Sequence, residues 1–302
     1  MDFRELTYVS AIAQHKSLTK AAHELFISQP TLTKFLQNLE KELGISLFQK
    51  ISNKFVLTYA GERYLAHARE IVKIKHQLDQ EMADIVKRDV GELRVGFPLM
   101  RGTYIIPLAL PIFRQKYPNV KILLHEHTSS KLEVLLSNGV IDVAFFNLPI
   151  NDPQIRYDVV KNEEVLLILP ESHPLADKAK AIPDSKYPWL DLRDCADEAF
   201  VLQLPGQRTR QLADDIFHRL GIIPKILLET RSINAGVQLV ASGYGAGIVT
   251  ENHLRHILMP RKPRCFSIGE PRHLVGFVCA YRSETYLPHY TKDFIQIVRD
   301  VS

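Results

Sequence analysis

Cysteine is scarce here: three in 302 residues, at Cys195, Cys265 and Cys279. The number is odd and the spacing wide, so they outline neither a disulfide framework nor a metal-binding cluster, which suits a reducing cytosol. No apolar run approaches the ~20 residues of a transmembrane helix. Asp2, Arg4 and Glu5 stand directly behind Met1, which speaks against a signal peptide. Catalytic signatures are missing too: there is no Gly-x-Ser-x-Gly elbow, Walker loop or zinc-protease histidine pair. The chain is expected not to be an enzyme and to need no cofactor. His125 and His127 share a strand face at i, i+2, but no third ligand is placed to make a metal site. Asp191, Asp194 and Asp197 read as loop solvation and helix-start charge. A large charge excess is absent as well. The net charge is +4, and residues 1–89 carry 13 Lys/Arg against 11 Asp/Glu. Any nucleic-acid binding must therefore rest on placement rather than bulk charge.

What is present is a pattern. The hydrophobic content of 46% allows real cores in two or three domains. Asp2 to His15 reads as an amphipathic helix with Phe3, Leu6, Val9, Ile12 and Ala13 on one stripe. Ser17 is placed to cap a short second helix, whose Ala21, Ala22 and Leu25 form a small apolar face. Ser28 can cap a third, with Pro30 tolerated in its first turn. There Leu32, Phe35, Leu36, Leu39 and Leu43 form the expected buried stripe, and Gly44 ends the helix. The opposite face carries Lys34, Gln37 and Lys41, flanked by Thr31, Thr33 and Asn38. Such hydroxyl, amide and amine groups can meet base edges and phosphates. Periodicity alone fits a solvated helical hairpin equally well. Phe48 to Leu57 reads as two short strands around Ser52-Asn53-Lys54.

The segment Ser17–Lys50, followed by Leu57-Thr58-Tyr59-Ala60-Gly61, resembles the winged helix-turn-helix of LysR-type transcriptional regulators. The matching features are S-x-x-x-A-A-x-x-L, S-Q-P-x-L, L-E-x-x-L-G-x-x-L-F and L-T-x-A-G at the family's spacing. One departure is Lys50, where the family usually has arginine; lysine keeps the charge but loses the bidentate fork. The resemblance implies a sequence-specific DNA-binding transcriptional regulator. Ser28, Gln29, Thr31, Thr33 and Lys34 would enter the major groove, with Gln29 and Thr31 at base edges. Lys34, Lys50 and Lys54 would meet phosphate.

Tyr59 to about Arg88 holds no proline and, after Gly61, no glycine. Tyr64, Ala68, Ile71, Lys75, Leu78, Met82 and Ile85 recur at spacings of four and three, a heptad seam. Lys75 is its polar interruption. The alternative is a helix packed against its own chain. The resemblance implies a linker helix that makes the dimer, and assembly to a tetramer is part of the same family expectation.

From Gly91 strands and helices alternate, so an α/β sheet of parallel character is expected. The strands are read at 92–97, 120–125, 141–146, 164–169, 200–202, 226–229 and 274–281. The helices are read at 105–117, 130–137, 208–220, 233–242 and 289–301, with a crossing between two units at Pro170–Pro174. Gly243-x-Gly-x-Gly precedes a strand, so it is no dinucleotide fingerprint. This region resembles, more loosely, the periplasmic-binding-protein-like effector domain of the same family, through R-V-G, F-R-Q-K-Y-P, G-x-I-D-V-A-F, L-P-x-S-H-P-L and L-V-A-S-G-Y-G-A-G-I. Thr250-Glu251 departs from the common Leu-Pro.

The resulting layout is an all-α winged helix-turn-helix at 1–58, a dimerisation helix at 59–90 and a two-subdomain α/β effector domain at 91–302. Subdomain I covers about 91–163 and 268–302, subdomain II about 164–267. A small anionic effector is expected at strand-to-helix junctions, where helix N-termini offer free N–H groups. The candidates are Arg101, Gly102 and Thr103; Thr128, Ser129 and Ser130; and Gln203, Gly206, Arg208 and Thr209. Met100 stands where a hydroxyl is often found in the family. Each hydroxyl alone could equally be a helix cap. Expected partners are double-stranded promoter or operator DNA, the effector and further copies of the chain, with RNA polymerase compatible and no membrane. A cytosolic solute-binding sensor acting through protein contacts is the alternative.

Overall fold

The computed structural model describes residues 3–52, 54–85, 90–183, 185–270, 272–283 and 285–302. The side chains of Phe3, Gln80, Ala83, Asp84 and Ile85, and all of Asn53, lie outside the described part. The chain divides between residues 88 and 89 into two compact units.

In the first unit α1 (Phe3–His15), α2 (Leu18–Glu24) and α3 (Gln29–Leu43) precede a hairpin, β1 (Phe48–Ile51) and β2 (Lys54–Leu57), and a long helix, α4 (Tyr59–Ile85). Ser17 and Ser28 cap α2 and α3 by accepting from the amides of Lys20 and Thr31. Gly44 closes α3 with φ 69°, a conformation that would strain any side chain. Val9, Ile12, Ala21, Ala22, Leu32, Leu36, Leu39, Leu47 and Leu65 form one core. Each fully buried leucine contributes ~1.5–3 kcal/mol. The expected stripe on α3 needs correction at its end. Phe35 is half-buried edge-to-face against Tyr8, and Leu43 is 43% exposed. The fifteen-residue α3 outruns the seven-residue α2, so its last turn has little to pack on.

The second unit holds β3 (Gly91–Phe97), α5 (Leu99–Lys116), β4 (Val120–Glu126), α6 (Ser129–Ser137), β5 (Val143–Asn147) and β6 (Ile155–Leu169). Then come β7 (Ala199–Gln203), α7 (Arg208–Leu220), β8 (Lys225–Thr230), α8 (Ile233–Ala241), β9 (Gly247–Thr250) and α9 (Glu251–Arg255). β10 (Arg264–Ser267), β11 (His273–Arg282) and α10 (His289–Val301) finish it. One sheet runs β10-β6-β11-β5-β3-β4 with β9 also on β6; β7 and β8 pair separately in parallel. β3 is parallel to β4 and β5, while β11 returns antiparallel to β5 and β6.

Two halves emerge, each with its own core. One gathers Phe97, Ile105, Phe113, Phe145, Phe277 and Phe294 between sheet, α5 and α10. The other gathers Leu167, Phe200, Phe217, Ile248 and Phe266. The link between them corrects the expected crossing at Pro170–Pro174. β6 is fifteen residues long and runs from one half into the other, beside β11, while Pro174 opens a short 3-10 helix. Its first part, Arg156 to Asn162, is polar and largely exposed, so it lacked the apolar signature of a strand. α5 also starts earlier than expected, at Leu99, and tolerates Pro107 and Pro111. Both prolines lie on the exposed face, opposite the buried Ile105, Ala109 and Phe113, where freed carbonyls can turn to water. β10 was not expected at all; its four residues carry too little periodicity to read.

Candidate nucleic-acid interface and effector cleft

The start of α3 presents an ordered polar edge. Ser28, Gln29, Pro30, Thr31 and Lys34 are exposed, and Thr33 is half-buried. The hydroxyls of Ser28 and Thr31 lie 2.7 Å apart. Gln29 Nε2 donates to Thr33 Oγ1 at 2.8 Å, and that hydroxyl donates to the Gln29 carbonyl at 3.0 Å. Gln29 is thus held in one orientation with its amide oxygen left to accept. The hairpin carries Lys50 and Lys54, both exposed. Glu40 was not anticipated: its Oε1 accepts from the amides of Leu47 and Phe48, tying the wing to α3. Thr58 caps α4, accepting from Gly61 N and donating to the Ser46 carbonyl. A Cβ on Gly61 would fall 2.0 Å from the Leu47 carbonyl oxygen, so only glycine fits.

The seam on α4 divides. Leu65 joins the core, Ala68 is buried and Tyr64 packs on the same core, so this end is covered by its own chain. That corrects the expectation for Tyr64 and Ala68. Ile71 is half-buried, Lys75 pairs with Asp79 one turn on, and Leu78 and Met82 are 49% and 46% exposed. The Ile85 side chain lies outside the described residues.

In the second unit the parallel pairing of β3 and β4 sets the junctions into α5 and α6 side by side at the strands' carboxyl ends. His127 N donates to the Phe97 carbonyl, and Gly102 lies against Glu126. Arg101 departs from its expected role. It is 1% exposed, and its guanidinium donates to both oxygens of Glu163 at 2.5 and 2.9 Å and to Asn147 Oδ1 at 2.6 Å. Its carbon centre also lies 4.1 Å from the Phe277 ring centroid. This arginine is spent on the interior, not offered to a ligand. Burial raises the Glu163 pKa, but the adjacent Arg101 outweighs it, and the carboxyl is held below its ordinary value. Thr103 is exposed within α5, donating to the Met100 carbonyl rather than capping the helix. Met100 packs on the Val201–Ile233 cluster of the other half.

Around this pair the halves are pinned together. Tyr104 of α5 accepts from Asn252 Nδ2 at 2.9 Å and stacks on His256 at 4.0 Å. Burial drives the Tyr104 hydroxyl up to about 12. His253, wholly buried, shares a 2.8 Å hydrogen bond with the Thr250 hydroxyl, and burial first, then the Arg101 charge, lowers its pKa to about 3. The departure at Thr250 thus has a local reason: it gives the buried imidazole a partner.

The other two candidate stretches are linked through the helices that follow them. Thr128 and Ser130 are exposed and Ser129 is buried at the start of α6. Gln203, Arg208 and Thr209 are buried around the start of α7, and Gly206 turns the loop at φ 89°. Arg208 of α7 donates to Glu133 of α6 at 2.5 Å and to Gln211 at 2.8 Å. Arg210 braces the loop through the Gln203 carbonyl, Asp214 and Glu229. Glu133 went unnoticed, though it lies one turn after Ser129 on the same helix face, the one acid in an apolar helix. Only His125 lies on edge strand β4, with His127 just past its end, and burial and His127 lower the His125 pKa. Among the described residues no group of three or more His, Cys, Asp or Glu could hold a metal ion. Also among them, no helix is long and apolar enough to cross a membrane.

Comparison with known proteins accords with this geometry. Residues 3–62 match the family described as bacterial regulatory helix-turn-helix protein, lysR family, and residues 87–302 match the LysR substrate binding domain. The HTH-type transcriptional regulator YwbI of Bacillus subtilis is 31% identical over 98% of this chain and 95% of its own. The HTH-type transcriptional regulator BenM of Acinetobacter baylyi is 32% identical over 82% and 80%. The crystal structure of full-length CbnR complexed with its target DNA superposes with a TM-score of 0.64 at 26% identity, covering 100% of both chains. The chain belongs to the LysR family: it is a transcriptional regulator with an N-terminal DNA-binding helix-turn-helix and a C-terminal effector-binding domain.

Proposed function

We propose that Ser28, Gln29, Thr31, Thr33 and Lys34 form the reading edge of this regulator, with Lys34, Lys50 and Lys54 on phosphate. The observation that carries this is the restrained, exposed Gln29, whose amide nitrogen is held by Thr33. An oriented amide can distinguish adenine from other bases without first losing rotamer freedom. Residues 1–58 bind DNA, 59–90 join two copies through Ile71, Leu78, Met82 and Ile85, and 91–302 sense a small anionic metabolite. Subdomain I is about 91–163 and 268–302, and subdomain II about 164–267. The protein works in the cytoplasm, as at least a dimer, and has no catalytic role. A dimer suits a pseudo-palindrome whose half-sites lie ~34 Å apart. The ligand would be held between Thr128, Ser129 and Ser130 of one half and Gln203, Gly206, Arg208 and Thr209 of the other. Footprinting on the DNA beside its own gene should reveal a protected site. Gln29→Ala should cost ~1–3 kcal/mol and relax preference at one base position. Binding that is insensitive to sequence, or no protection at all, would overturn the reading.

A further inference from the structure

The geometry points to Glu133 as a built-in competitor for the anion site: its carboxylate holds Arg208 across the cleft, and an anionic effector must displace it to bind. The inference rests on the reading of this cleft as the effector site.

Three observations carry it. The pair joins α6 of one half to α7 of the other, 75 residues apart in sequence, so it ties the halves together. Both side chains are buried, Arg208 at 7% and Glu133 at 9% exposure. Yet the pairing is incomplete. Arg208 gives Glu133 one bond, through Nη2, while its Nε is buried with no hydrogen-bond partner among the described residues. Nε and Nη2 point the same way along one edge of the guanidinium, the edge a carboxylate grips with both oxygens. The second oxygen of Glu133 goes elsewhere, to the Asn151 amide at 3.3 Å. Arg101 provides the internal contrast: its glutamate fills it with both oxygens, and an asparagine adds a third bond. Arg101 engages both oxygens of its carboxylate, whereas Arg208 engages one and keeps a place open.

The surroundings favour an anion there. Neither Thr128 nor Gln207 caps its helix through its side chain, so the first amides of α6 and α7 keep their donors. The Gln207 amide is engaged instead with the Leu204 N–H and the Arg231 carbonyl. A free carboxylate that takes both Nε and Nη2 of Arg208 gains the bond Glu133 does not make. Glu133 is then left as a buried, unpaired charge and must turn toward water. That movement releases α6 from α7, so binding of the ligand and opening of this contact are one event.

The experiment uses the full chain and follows its melting temperature against acetate, succinate and benzoate, with chloride holding ionic strength constant. Glu133→Gln keeps an oxygen for Arg208 but removes the competing charge. It should lower the carboxylate concentration needed for half of the shift about tenfold, the ordinary gap between charged and neutral hydrogen-bond partners. Glu133→Asp, one methylene shorter, should shift it in the same direction and serves if the first variant folds poorly. Arg208→Gln should abolish the response. Equal carboxylate dependence in wild type and Glu133→Gln, both lost in Arg208→Gln, would overturn the competitor and leave the cleft reading standing. A response that survives Arg208→Gln would overturn both.

Discussion

Arg101 and Arg208 are both buried arginines facing a glutamate, and they differ in that Arg101 engages both carboxylate oxygens and Arg208 only one. Arg101, Glu163 and Asn147 satisfy one another at the junction of the halves, with Phe277 beneath the guanidinium. Breaking such a pair from one side leaves a buried charge and is expected to be far costlier than losing a surface ion pair. His253 beside it makes a prediction about pH. Its pKa falls from 6.5 to about 3 on folding, through burial first and the Arg101 charge second. The unfolded chain therefore binds a proton that the folded chain refuses. This contribution to stability is whole above pH 6.5 and is lost progressively as pH falls toward 3. Urea unfolding of wild type and His253→Gln across that range checks it. The variant should lose less stability on acidification; parallel pH curves would show that the imidazole is protonated in the folded protein.

At the level of elements, helix α4 is a single span of 27 residues, about 40 Å at 1.5 Å per residue. Its first turns belong to the DNA-binding core through Leu65 and Ala68. Further along, Val72, Ile74, Leu78 and Met82 are exposed. An apolar stretch of this kind on a helix is covered economically by a second copy of itself. Leu78→Glu combined with Met82→Glu should reduce the sedimenting mass, and DNA affinity should fall because two half-sites are no longer held together. An unchanged mass would place the contact elsewhere. The wing shows the opposite economy. Glu40, Thr58 and Gly61 leave the hairpin no freedom at its root, so Lys50 and Lys54 are carried on a rigid base.

For the whole molecule the charge balance matters. A net charge of +4 over 302 residues gives little general attraction for DNA, so affinity depends on a few placed cations. Each phosphate contact contributes about 0.9 to the slope of log affinity against log salt. Replacing Lys34, Lys50 and Lys54 together with alanine should therefore flatten that slope by between two and three while leaving base preference intact. An unchanged slope would mean that none of the three touches phosphate. Burial raises the thiols of Cys195 to about 12 and of the half-buried Cys265 to about 11, far from the thiolate form.

The first unit was legible because its signals are local. Caps at Ser17 and Ser28, the glycine at 44 and the apolar spacing of α1 to α3 all act within a turn or two of the chain. The same holds for α7 and α10, whose limits read directly from the sequence. What the sequence could not determine was long-range pairing. Arg101 and Arg208 looked alike, each an arginine at a strand-to-helix junction, and only the fold decided that one meets Glu163 and the other Glu133. The polar start of β6 is a strand because β11 hydrogen-bonds it, not because its side chains ask for one. Burial of a charge is a property of neighbours that arrive from 62 or 75 residues away, and no local pattern announces them.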